Sequence, residues 1–94
     1  MLKDRVYKFV YKTKTEFKSK IWIYGGWKII GVFQDKQIAA LSRLETLRFF
    51  KLIGFKEYKI AKRKLITKIG KQVSIDISLD KSGKKLKIKS KVNG

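Results

Sequence analysis

The chain has 94 residues, of which 25 are Lys or Arg and seven are Asp or Glu, for a formal net charge of +18. It contains no Cys and no His, which removes disulfides, thiolate and imidazole metal ligands, Cys nucleophiles and imidazole general bases together. Hydrophobic residues make up 44% and aromatics 13%, so the charge is laid over a foldable pattern, unlike a disordered basic tail.

This length suits one domain with a single modest core, here a basic domain over residues 1–94. The most apolar run, residues 21–33, is interrupted by Lys28 and by Gly25 and Gly26. It falls short of the roughly 20 apolar residues that a spanning helix requires, so no membrane span is expected. The N-terminus lacks the apolar stretch and small-residue cleavage site of a secretory signal, so an intracellular protein is expected.

Residues 5–12 alternate, with Tyr7, Phe9 and Tyr11 on one side and Val6, Lys8 and Val10 on the other, which predicts a strand. Residues 13–19 are polar and Lys-rich. Residues 20–24 and 27–33 are β-branched and aromatic runs around Gly25-Gly26, the pattern of a tight hairpin. The period then changes. Asp35 is placed as an N-cap, and Ile38, Leu41, Leu44, Leu47 and Phe50 follow at helical spacing, predicting a helix over 36–53 that stops at Gly54. Residues 55–69 carry Phe55, Tyr58, Ala61, Leu65 and Ile69 on one helical stripe before Gly70, although Tyr58, Ile60 and Ile66 also fit a strand. Val73, Ile75, Ile77 and Leu79 alternate with polar residues, and the chain turns at 80–83. A return strand follows, with Leu86, Ile88 and Val92 on one face and Lys85, Lys87, Lys89 and Lys91 on the other. The order β-β-β-α-α-β-β predicts an α+β fold: an antiparallel sheet of about five strands with two helices on one face.

Two basic clusters stand out. Lys59, Lys62, Arg63, Lys64 and Lys68 lie on the second predicted helix, where Glu57 is the only acid between Glu45 and Asp76. An ordinary solvated helix face mixes signs, so this one reads as a surface for nucleic acid. Lys71, Lys81 and Lys84 accompany the strand row of Lys85, Lys87, Lys89 and Lys91. Lysines on an edge strand also discourage aggregation, but a full row in register exceeds that need and fits phosphate contact. Arg43, Arg48 and Lys51, on or beside the first helix, complete the candidate set. Only four of the 25 basic residues are Arg, and Lys acts as a point charge where Arg can read a base edge, so recognition of backbone or shape is favoured.

Trp22, Tyr24 and Trp27 flank the Gly-Gly turn. In a domain this small Trp ordinarily anchors the core; Trp27, which adjoins the turn, is the candidate for base stacking. Acids for a metal-dependent nuclease would have to be Asp76 and Asp80, but Asp76 faces the Lys row and Asp80 sits at a turn. Asp4, Glu16, Asp35, Glu45 and Glu57 are scattered, so no catalytic residue, metal or cofactor is expected.

From Arg43 the chain runs Arg-Leu-Glu-Thr-Leu-Arg-Phe-Phe-Lys-Leu-Ile-Gly-Phe, then Ala61-Lys-Arg-Lys-Leu-Ile66 and a hairpin. This resembles the αL RNA-binding domain of a ribosomal small-subunit protein, also found in pseudouridine synthases. The resemblance implies that Arg43, Lys62, Arg63 and Lys64 face folded RNA. The stretch Phe49-Phe-Lys-Leu-Ile-Gly-Phe-Lys56, followed by Lys62-Arg-Lys-Leu65, is also similar to segments of LAGLIDADG homing-endonuclease domains. That likeness implies DNA binding through a sheet, without cleavage, since the acidic catalytic motif is absent. The expectation is a non-enzymatic RNA-binding protein of a ribosome or other ribonucleoprotein, with RNA and neighbouring proteins of the particle as partners and DNA binding as the alternative.

Overall fold

A computed structural model describes residues 7–23, 25–70, 72–81, 83 and 85–93, without the side chains of Val92 and Asn93. The elements are β1 (Val10–Lys12), β2 (Phe17–Ile23), β3 (Gly26–Phe33), α1 (Lys36–Phe49), α2 (Phe55–Ile69), β4 (Gln72–Leu79) and β5 (Leu86–Asn93). The fold is α+β with the expected element order, but the strands form two antiparallel sheets where one was expected. β1-β2-β3 make a three-stranded sheet and β4-β5 a separate hairpin.

The split follows from α1. That helix is apolar on two sides: Ala39 packs against Ile21, Ile23, Ile30 and Phe33 of the first sheet, whereas Ala40, Leu41 and Leu44 pack with Leu65 of α2. A single sheet covers only one side of a helix. The second side is covered by α2 and by the β4-β5 hairpin, which adds Val73 and Ile75 to one cluster and Leu86 and Ile88 to the other. The expected pair of helices on one sheet face is therefore replaced by a central α1, with the first sheet on one flank, α2 on the other and the hairpin packed against both clusters. Ser19, Ser42 and Thr46 are fully buried at this centre. Thr46 donates to the Ser42 carbonyl at 2.7 Å, and the small side chains allow close approach of helix to sheet.

Local chemistry explains the boundaries. The β2-β3 hairpin pairs Ile23 with Gly26 and Trp22 with Trp27, so Gly26, expected in the turn, is the first residue of β3. Gly25 takes φ +75, the positive value that such a turn demands. The pairing slips once, from Ser19 opposite Gly31 to Lys20 opposite Ile29, so Ile30 is an extra, bulged residue that turns inward. β2 begins at Phe17, inside the segment read as polar connection. β1 is shorter than the expected 5–12, because Phe9 has a left-handed φ of 62 that ends the pairing; residues 5 and 6 lie outside the described set.

Asp35 caps α1 as expected, accepting from the Gln37 N–H at 2.8 Å. The helix ends at Phe49, short of 53, and Gly54 is instead the N-cap of α2. The stop is made by Lys51, which adopts φ 58. Its N–H donates to the Arg48 carbonyl at 3.0 Å and the Leu52 N–H to the Leu47 carbonyl at 2.8 Å, the two bonds of a Schellman ending. A left-handed residue with a Cβ is strained by about 1–2 kcal/mol. Replacing Lys51 with Gly should therefore stabilise the fold by about 0.5–1 kcal/mol after Gly's greater unfolded-state entropy is set against the relief. Thermal unfolding would show a melting point a few degrees higher; a lower one would mean that the Lys51 side chain contributes more than its backbone costs.

Residues 55–69 form a helix and not a strand, ending at Gly70 with φ +70 and its N–H on the Ile66 carbonyl at 2.9 Å. The β4-β5 register sets Ser74 opposite Lys91, Asp76 opposite Lys89 and Ser78 opposite Lys87. The turn closes through the Gly83 N–H on the Asp80 carbonyl at 2.9 Å.

Candidate nucleic-acid interface

The predicted basic residues divide among several surfaces. On α2, Lys59, Arg63, Lys64 and Lys68 are exposed, with Lys56 beside them. Lys62 is different. Its ammonium lies 3.0 Å from Glu45 of α1 in an ion pair, and it donates to the Tyr58 hydroxyl at 3.1 Å. Tyr58 in turn donates to the other Glu45 oxygen, so the three side chains tie α2 to α1.

Burial first, then the hydrogen bond to Glu45, raises the Tyr58 phenol above its ordinary pKa; the Tyr58 hydrogen bond first, then that to Glu45, raises Lys62. A raised folded-state pKa means that the folded chain holds protons the unfolded one releases. The stability from these groups is full below the unfolded values of about 10 and is lost as pH rises through the folded ones. Deprotonation of the other lysines relieves repulsion over the same window, so the effect is read by difference. Tyr58→Phe should destabilise the protein by about 1 kcal/mol at pH 7, with the gap to wild type narrowing above pH ~10. Denaturant titrations at both pH values check it, and a constant gap would dissociate Tyr58 from the pH dependence.

Exposed Arg48 and Lys59 both lie 5.2 Å from the ring of Phe55, which is itself 57% exposed; Phe49 and Leu52, in the turn that precedes it, are exposed as well. Lys51 is exposed next to this corner. On the hairpin, Lys85, Lys87, Lys89 and Lys91 are all exposed, and Leu86 and Ile88 between them turn toward the core, so the expected row of ammonium groups is present. Lys71 and Lys84 lie outside the described residues. Arg43 points inward. Its Nε donates to the Lys20 carbonyl at 2.9 Å, where β1 has already ended, and its guanidinium sits 5.0 Å from the Phe9 ring. Burial lowers its pKa from the ordinary value.

Sequence reasoning placed the tryptophans in the core first, and the structure overturns that. Trp22 is 54% and Trp27 46% exposed, paired across β2 and β3 on the face turned away from α1, with ring centroids 5.3 Å apart and nearly perpendicular. Lys20 lies 4.5 Å over the Trp27 ring, and the Phe9 ring, tilted by 55°, borders it at 4.9 Å. Tyr11, Ile29 and Val32 are exposed on the same sheet. Strand residues taken singly do not reveal this face. The signal was present in Lys18, Lys20 and Trp22 at alternate positions, and in the two-residue turn that sets Trp22 opposite Trp27.

An open groove of about 580 Å³ runs between α1 and α2, floored by Ala40, Leu44, Leu47, Ala61 and Leu65 and edged by Lys8, Arg43 and Lys64. Among the described residues no group of three His, Cys, Asp or Glu is placed to hold a metal ion, and no helix is long and apolar enough to cross a membrane. Compared with known protein families, curated proteins and solved structures, the chain matches none.

Proposed function

We propose that the chain is a non-enzymatic RNA-binding protein, a structural component of a ribosome or other ribonucleoprotein, that contacts phosphates through its Lys-rich surfaces. One observation carries this reading: four of the seven acids are engaged by hydrogen bonds within the fold, and exposed Glu57 and Asp76 are far too few to offset the outward cations. Glu45 holds Tyr58 and Lys62, Asp35 caps α1, Asp80 accepts from the Lys85 N–H at 3.3 Å and Glu16 accepts from Gln34 at 3.3 Å. Against them stand 25 basic residues, many exposed on α2, on β5 and at the Phe55 corner. Self-repulsion on that scale works against a compact free chain and is relieved by a polyanion. The rarity of Arg favours contact with the backbone over reading of base edges.

The test is sedimentation of the protein from its native source at low salt, with and without RNase. Migration with large RNA-containing particles that is abolished by RNase is expected. Migration as a free small protein in both lysates would overturn the reading, and a preference of the purified protein for duplex DNA of defined sequence would replace RNA with DNA.

A further inference from the structure

We propose that the outer face of the β1-β2-β3 sheet binds unpaired nucleotides of single-stranded RNA, with bases stacked on Trp27 and Trp22 and phosphates held by Lys18 and Lys20. This rests on the RNA-binding reading above and adds a recognition mode that its phosphate contacts lack.

Three observations converge on this face. The first is exposure of rings that a folded chain normally hides: Trp22 and Trp27 are about half exposed, with Ile29, Val32 and Tyr11 around them, although an apolar core lies directly behind the sheet. Burying either indole there would need only a change of register parity. Instead the hairpin turn sets both outward and opposite one another. Their edge-on packing fixes the two ring planes at 81° to each other, leaving indole surface open to a ligand.

The second is strain. Phe9 adopts a left-handed φ of 62, a conformation unfavourable for a residue with a Cβ. In that conformation its carbonyl accepts from the Lys20 N–H at 3.1 Å, and its ring lies at 4.9 Å from Trp27 with the Lys8 ammonium at 5.2 Å. Arg43 reaches past the end of β1 to brace the same ring and the Lys20 carbonyl. Backbone strain and a half-buried Arg are thus both used to hold the border of an exposed aromatic cluster.

The third is charge. The strands β1, β2 and β3 contain no Asp or Glu, and Lys18 and Lys20 alternate with inward residues so that both rise from the aromatic face. The Lys20 ammonium rests 4.5 Å above the Trp27 ring and 6.0 Å from Tyr11. A cation on an exposed ring is weakly held. An arriving base takes the ring face, and the released ammonium meets the phosphate that comes with it. Stacking of this kind tolerates any base sequence and requires bases free of a duplex. A second copy of the chain is a poor occupant for the same face, since each copy brings a charge of +18.

Trp22 and Trp27 are the only two tryptophans, so intrinsic fluorescence reports directly on this face. The intact protein is titrated with RNA oligonucleotides of about 12 nucleotides, with an abasic strand of equal phosphate number, with the matching RNA duplex and with the same sequence as single-stranded DNA. Single-stranded RNA should quench the fluorescence and bind most tightly. Trp27→Ala should weaken it about 5- to 100-fold with an unchanged salt slope, and Trp27→Phe, which keeps a ring and guards against misfolding, should recover most of the loss. Equal affinity for the abasic strand or the duplex, or an unchanged affinity in a folded Trp27→Ala protein that still binds RNA, would overturn the stacking site while leaving the phosphate reading intact. Failure to bind any of the RNAs at physiological salt would remove both. Tighter binding of the DNA strand would overturn the assignment to RNA, and a concentration-dependent fluorescence change without nucleic acid would assign the face to self-association.

Discussion

Replacing Leu41 with Ala should lower the melting temperature by roughly 12–25 °C, the largest stability effect expected of a single conservative change in this protein. Leu41 is fully buried on α1, in the cluster with Ala40, Leu44 and Leu65 that joins α1 to α2 and receives Val73 and Ile75 from β4. Truncation removes the transfer energy of the side chain and leaves a cavity, together about 3–5 kcal/mol. A domain of this size has about 5–15 kcal/mol in all, and a net charge of +18 reduces what remains. The variant should therefore be partly unfolded at low ionic strength and recover as salt screens the lysines. Circular dichroism melts at low and moderate salt measure both effects. A shift of only a few degrees would mean that α1 and the surrounding elements close over the cavity.

Simultaneous replacement of Lys59, Arg63 and Lys64 with Ala should leave the fold intact and weaken RNA binding on the order of tens of fold near physiological salt. All three are exposed on α2, and Ala is the best helix former. If each meets one phosphate, the salt slope becomes shallower by about 2 to 3. Lys62 belongs to a separate experiment despite its place in the same run. Its ammonium is committed to Glu45 and Tyr58, so Lys62→Ala should act on stability, by about 1 kcal/mol for a partly exposed pair. Filter binding over a salt series distinguishes the two. An unchanged slope in the triple variant would move the phosphate contacts to the Lys85–Lys91 row or to the first sheet.

Sequence periodicity was enough to identify α1, the hairpins and the lysine row of β5, because each depends on near neighbours: Asp35 ahead of a helical stripe, a glycine at a positive φ, alternation over a single strand; it left residues 55–69 open between helix and strand, which packing against α1 decides. It was not enough to end α1 correctly. A Gly at 54 is a familiar stop signal, but Lys51 takes the left-handed turn first, since the chain must reverse there for Tyr58 to meet Glu45 and Leu65 to reach Leu41 and Leu44. Nor did alternation show which face of the first sheet is covered. Tyr11, Trp22 and Trp27 have apolar surface enough for either side, and only the packing of α1 against Ile21, Ile23 and Ile30 decides that they turn outward.

Charge, the absence of catalytic side chains of the His and Cys type, the element order and the outward lysines on α2 and β5 are determined by the sequence itself, through composition and local periodicity. The division into two sheets, the inward commitment of Lys62 and Arg43 and the exposed Trp22–Trp27 face were decided by tertiary structure. The physical reason is that α1 is apolar on two sides: its burial requires cover from elements distant in sequence, and the surfaces left open are fixed only when that cover is in place.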